Sequence, residues 1–180
     1  MAFDGMFVAP QDDPRGDSGA VGELATYRDY LDNFRLTLEM KCQDLSPEQL
    51  ATRSVPPSDL SLLGLVRHMA RVEHYWFSMV IDGDLGIERL DADDPTGGFH
   101  RVEPTRASVE EAFGRWRTWR EYADGSLDRL DGVDLGDLRR DRHGADLSLR
   151  EILVHLVEEY ARHCGHADLL RECLDGRTGL

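Results

Sequence analysis

The sequence predicts an all-α protein folded as a four-helix bundle, and three observations carry that prediction. Four segments of about twenty residues or more place apolar residues at alternating three- and four-residue steps, the pattern of a helix that buries one face. No segment alternates apolar and polar residues over a useful length, so strands are not expected, and no internal repeat is visible. At 180 residues the chain is long enough to bury a good core as one domain.

In chain order, residues 1–20 hold Gly, Pro and Asp without periodicity and read as a flexible N-terminal arm ahead of a bundle over residues 21–180. Phe3, Met6, Phe7 and Val8 are the arm residues apolar enough to dock. The first helix begins at Gly22, runs to about Leu45, and has its seam at Leu24, Tyr27, Leu31, Phe34 and Leu38. Ser46-Pro47 starts a short helical turn, with Ser as cap and Pro in the first helical position, before Pro56-Pro57 breaks the chain. The second long helix opens near Ser61, with a seam at Leu62, Leu65, Met69, Val72, Trp76 and Met79, and ends at Asp82-Gly83. His68 sits at the edge of that seam, while His74 falls further round and is expected outside the bundle.

Residues 82–106 make a long connection rich in Asp, Gly and Pro, either functional or mobile, and long enough to cross one end of a bundle. Its His100 reads as solvated. A capping box of Ser108 and Glu111 starts the third long helix, whose apolar side is Val109, Ala112, Phe113, Trp116, Trp119, Ala123, Leu127 and Leu130. Trp116, Trp119 and Tyr122 read as core, and Arg115, Arg117 and Arg120 as a solvated face. Residues 131–147 are expected as a charged loop carrying a surface His143.

The last helix runs from the capping box of Ser148 and Glu151 to Gly176, with Leu149, Ile152, Leu153, Leu156, Tyr160, Cys164, Ala167, Leu170 and Leu174 on its buried side. One position before seam residues lie His155, Glu159, His163 and His166. Residues four apart stack on a helix face, so imidazole and carboxylate form a stripe at the edge of the core. A divalent metal site in a helical bundle requires such a stripe. An ordinary hydrogen-bonded flank would also accommodate it.

Other signatures do not fit. His-Glu-x-x-His is absent, and Glu159 and His163 are four apart where the Glu-x-x-His of di-iron bundles needs three. There is no P-loop, no Gly-x-Gly-x-x-Gly and no nucleophile elbow. What remains is a mononuclear site of Glu159 and His163 with His68 reaching across from the second helix. His155 and His166 lie one turn to either side, as orienting groups or proton carriers. Three N and O ligands leave a position open, the catalytic pattern.

A net charge of −14 and pI near 4.8 argue against nucleic acid and against an anionic membrane surface. No apolar run reaches the ~18 residues of a membrane span, and the N-terminus lacks the order of a signal peptide. Cys42, Cys164 and Cys173 form no Cys-x-x-Cys, which reads as reduced thiols in a cytoplasmic protein.

Five stretches resemble the DinB-like superfamily, and within it the mini-circle protein branch: Leu38-Glu-Met-Lys-Cys42, Arg53-Ser-Val-Pro-Pro-Ser58, Leu60-Ser-Leu-Leu-Gly-Leu-Val-Arg-His68-Met69, Val72-Glu-His-Tyr-Trp-Phe77 and Glu158-Glu-Tyr-Ala-Arg-His163-Cys-Gly-His-Ala-Asp-Leu-Leu-Arg171. The likeness covers about residues 22–176. It implies a bundle whose second and third helices run parallel, often a homodimer, with one divalent metal, Zn²⁺ or Ni²⁺, on His68, Glu159 and His163. Many members have His where this chain has Glu159, and the mycothiol-dependent maleylpyruvate isomerases, which carry Glu, are similar to it there. Related proteins activate the thiolate of mycothiol, bacillithiol or glutathione on the metal. The expected function is therefore metal-dependent S-transfer of a low-molecular-weight thiol to a small-molecule substrate. A non-catalytic metal-stapled bundle and a metal-dependent hydrolase are the alternatives.

Overall fold

Why most of the helices start where they do is visible in their caps. In the computed structural model, which describes residues 7–16 and 19–179, α1 spans Glu23–Cys42 and the short α2 spans Pro47–Ala51. The second is opened by Ser46 and Gln49 in a reciprocal capping box, with Pro47 in its first turn. Ser61 caps α3, Leu62–Glu73, by accepting from the Gly64 N–H, and α3 runs on as a π-helix over His74–Ile81. α4 covers Arg106–Arg129 and α5 covers Leu149–Asp175, the latter opened by the predicted Ser148–Glu151 box and closed by Gly176 at φ 78°. No helix among the described residues is long and apolar enough to cross a membrane.

The chain is thus mostly helical. α3 packs most closely on α4 and α1 on α5, while α3 also meets α5. Leu31, Leu38, Leu65, Met69, Trp116, Leu153, Leu156 and Ala167 are among the residues sealed between them. In the N-terminal segment Phe7 is buried, its ring under the Arg177 guanidinium at 4.0 Å and the Lys41 ammonium at 4.2 Å. Phe3 and Met6 lie outside the described residues.

Four local expectations are corrected, the first being that Tyr122, expected in the core, is exposed. The loop over 131–147 contains a hairpin: β1, Leu138–Arg140, pairs antiparallel with β2, Asp146–Ser148. Three-residue strands are too short to display alternation, and the Asp141 carboxylate builds the turn by accepting the N–H groups of His143 and Ala145. α4 starts earlier than the Ser108 box, because the Thr105 hydroxyl accepts the Ser108 N–H. His74 is buried, 2% exposed, where it was expected outside. Its N–H still bonds the Ala70 carbonyl in α-helical register, and its ring is covered by Trp119 of α4, with centroids 4.2 Å apart, and by Leu90 of the long connection, whose N–H donates to its Nδ1 at 3.2 Å. In the π-helical stretch beyond it, Phe77 is sealed while Trp76 lies half-buried.

Candidate metal centre

The centre is assembled from α3, α5 and the long connection between α3 and α4. Asp94 organises that connection by accepting the Thr96 N–H and hydroxyl and the Gly98 N–H. Gly97 and Gly98 have φ of +74° and +98°, and a Cβ on Gly98 would meet the backbone of Arg67 and His68 at 3.2–3.3 Å. The reciprocal contact is tighter still. A Cβ on Gly64 would fall 2.6 Å from the Phe99 carbonyl oxygen. Glycine on both sides therefore lets the loop lie directly on α3.

Two contacts to His68 result. Its Nδ1 lies 2.9 Å from the Gly97 carbonyl and its ring stacks on Phe99, with centroids 4.2 Å apart. With the proton on Nδ1 and donated to the carbonyl, Nε2 keeps its lone pair, the form in which imidazole ligates a metal. That Nε2 faces the Glu159 Oε2 at 3.5 Å.

On α5, one helical turn separates Glu159 from His163, and His163 Nε2 is 3.3 Å from the same Oε2. His163 Nδ1 lies 3.2 Å from His166 Nδ1, so one of these nitrogens donates to the other. A proton on His163 Nδ1 leaves Nε2 as the ligating atom. His155 Nε2 sits 3.5 Å from the other carboxylate oxygen of Glu159 and its ring meets Trp76 edge-on. In the alternative state in which both imidazoles also carry a proton on Nε2, hydrogen bonds from His163 and then His68 hold the Glu159 carboxyl well below the usual carboxylate range, overcoming the burial that would raise it.

His68, Glu159 and His163 thus each offer one ligand atom within 4.8 Å of the other two. Ligand atoms held about 2.0–2.1 Å from a tetrahedral Zn²⁺ would stand about 3.4 Å apart. The spacings of 3.3 and 3.5 Å match that figure, and an ionised carboxylate with two imidazoles is a donor set that Zn²⁺ accepts. The residues fit the ion.

The other histidines separate cleanly. His100 and His143 are exposed, and His74 is buried against Trp119 rather than near the triad. Gly97 and Phe99 were not singled out from sequence. The signal that was available is a Gly-Gly pair followed by an aromatic within an otherwise polar connection.

A family model described as mycothiol-S-transferase matches residues 26–176. No curated protein and no solved structure matches the chain.

Proposed function

The chain belongs to the mycothiol-S-transferase family, and from that premise we propose that it is a metal-dependent enzyme activating mycothiol, or a closely similar low-molecular-weight thiol, for transfer to a small electrophile. The observation that carries this reading is the convergence of His68, Glu159 and His163 on one point between α3 and α5. In this proposal the three hold a divalent cation, Zn²⁺ first and Ni²⁺ second. The helices form a DinB-like four-helix bundle over residues 21–180 that uses residues 82–105 as its long middle crossover.

Bound there, the ion supplies a Lewis acid that favours the thiolate of a coordinated thiol at neutral pH. The remaining chemistry belongs to the chain. Gly97 and His166 fix the tautomers of His68 and His163. Phe99 covers one face of the His68 ring and keeps water from it. His155, against Glu159 on one side and 39% exposed on the other, orients that carboxylate and is placed to carry the proton of the bound thiol to solvent.

The protein's own thiols do not serve as the nucleophile. Burial pushes Cys42 and Cys164 up to about 12. Cys173 lies ten residues beyond His163 on α5, about 15 Å along the helix. The reacting sulfur comes from the bound thiol.

Protein purified without a His-tag is expected to carry about one divalent ion per chain. Loaded protein should conjugate mycothiol to monochlorobimane, and His163→Ala should lose both the ion and the conjugation. Failure of metal-loaded protein to conjugate the thiol would sink the enzymatic reading. Because the triad joins α3 to α5, a stapling role is the specific second reading. It predicts a melting temperature that drops on chelation in a protein that transfers no thiol.

A further inference from the structure

Beside the candidate metal centre lies a cavity of about 290 Å³, and His68 forms part of its wall. Arg71 and the Tyr75 and Trp76 rings come from the α3 end, Arg89 from the long connection, and Arg142 from the hairpin turn. A volume at the small end of ligand pockets suits a compact molecule.

The arginines are the informative part. None of the three pairs with a carboxylate among the described residues, although on adjoining surface Arg67 and Arg115 both pair with Asp91. Arg71 donates only to the Asp94 carbonyl at 3.3 Å, and Arg142 to His143 Nε2 at 3.0 Å. The Arg89 guanidinium makes no hydrogen bond among the described residues. The nearby acids are turned elsewhere: Asp94 accepts from Thr96 and Gly98, and Asp141 closes the hairpin. Burial, then the charge of Arg89 and more weakly of Arg142, lowers the Arg71 guanidinium below its ordinary value, while Asp94 and Asp91 act against that shift. In a chain of net charge −14, this local excess of cations has no protein counter-charge in contact.

A second, independent observation points the same way. His74 also lines the cavity and is 2% exposed. Its Nδ1 accepts the Leu90 N–H at 3.2 Å, which puts the ring proton of neutral imidazole on Nε2. That Nε2 has no hydrogen-bond partner. A buried donor left unmade is costly, so an acceptor is missing from this wall.

We propose that this pocket seats the carboxylate of the electrophile, a small planar α,β-unsaturated acid held by Arg71 and Arg89 and flanked by the Tyr75 and Trp76 rings. Guanidinium forks match planar carboxylates bidentately, and aromatic walls accept a flat apolar body. The role as electrophile rests on the thiol-transfer reading above. Anion recognition rests on the pocket alone. His68, shared by both sites, would place the acid next to the sulfur: the C–S bond would form at the β-carbon as the C=C π bond breaks, the α-carbon would take up a proton to replace the one the thiol gave to solvent, and no group would leave.

The test uses full-length protein stripped with EDTA, titrated with trans-cinnamate and with the uncharged cinnamamide while tryptophan fluorescence is followed. Cinnamate should bind saturably and the amide about ten-fold or more weakly. Arg71→Met and Arg89→Met should each cost cinnamate about ten-fold, and Arg117→Met on the exposed side of α4 should change nothing. If the Arg71 variant does not fold, the Arg89 variant alone decides. Equal affinity for acid and amide, or no saturable binding, overturns the proposal. Binding only to metal-loaded protein, indifferent to the arginine variants, also overturns it, since the acid then sits on the ion and thiol transfer survives. Arginine-dependent binding to a protein that takes up no metal supports the anion pocket and removes the transfer reading instead.

Discussion

Of the carboxyl groups that bridge helices in this protein, Glu73 and Glu159 are finished differently. Glu73 on α3 is fully buried and saturated: Arg35 from α1 donates to both oxygens at 2.8 and 2.9 Å, and the Tyr160 hydroxyl from α5 donates at 2.5 Å. Trp116 on α4 donates in turn to that hydroxyl at 3.0 Å, so one carboxyl ties four helices. Glu159, the neighbour of Tyr160 in sequence, is half-buried and faces three imidazoles at 3.3–3.5 Å. Charge-assisted hydrogen bonds normally close to about 2.7–2.9 Å. The first group is surrounded at contact distance and has nothing left to bind. The second is surrounded at the distance two ligands keep across a shared ion.

The sharpest way to break that contrast is to remove Arg35. Arg35→Met leaves Glu73 as a buried charge without its cation, which costs about 3–5 kcal/mol of unfolding free energy in urea titration. If the two carboxyls do separate jobs, the metal affinity of the folded protein stays within about two-fold of wild type. A parallel collapse of metal affinity would mean that Tyr160 couples them into one unit.

His166→Ala acts on the other carboxyl's side and should be smaller. It removes the partner of His163 Nδ1 without touching a proposed ligand. Loss of such a partner typically weakens a metal site 10–100-fold, about 1.4–2.7 kcal/mol. Competitive titration against a chromophoric chelator would measure it, and the stability of the metal-free protein should barely move. Unchanged metal affinity would contradict the orienting role.

The sequence displayed the second carboxyl better than the first. Glu159 and His163 stand out because a stripe of His and Glu beside an apolar seam is unusual, and the four-residue period alone puts them together. His68 is legible for the same reason, from its place beside Met69. Glu73 has no such signature: an acid on a helix flank is ordinary, and only the packing of α1 and α5 brings Arg35 and Tyr160 to it. The loop contribution was hidden for a related reason. Gly97 and Phe99 reach His68 across 29 and 31 positions through turns, which carry no periodicity. The helical seams were readable throughout, Trp76 included, which packs against the core though half-buried. The assignment of His74 failed because what covers it, Trp119 of α4 and Leu90 of the long connection, is not encoded in the period of its own helix.

The smallest effect tests that last region. Burial first, and then the charge of Arg89, lowers His74 below the ordinary histidine value of 6.5. The unfolded chain therefore binds a proton at this site at a pH where the folded chain does not. By linkage the stability associated with neutral His74 is complete above about pH 6.5 and is lost as pH falls below it. Burial also holds His166 below its ordinary value, so the absolute slope is not diagnostic. The difference between wild type and His74→Gln isolates the term, because the substitution removes one titrating group and leaves the triad intact. Urea midpoints at pH 8 and pH 5.5 should converge more in the variant than in wild type. An identical pH dependence in both would place His74 in contact with water, and the missing acceptor at its Nε2 would then be solvent.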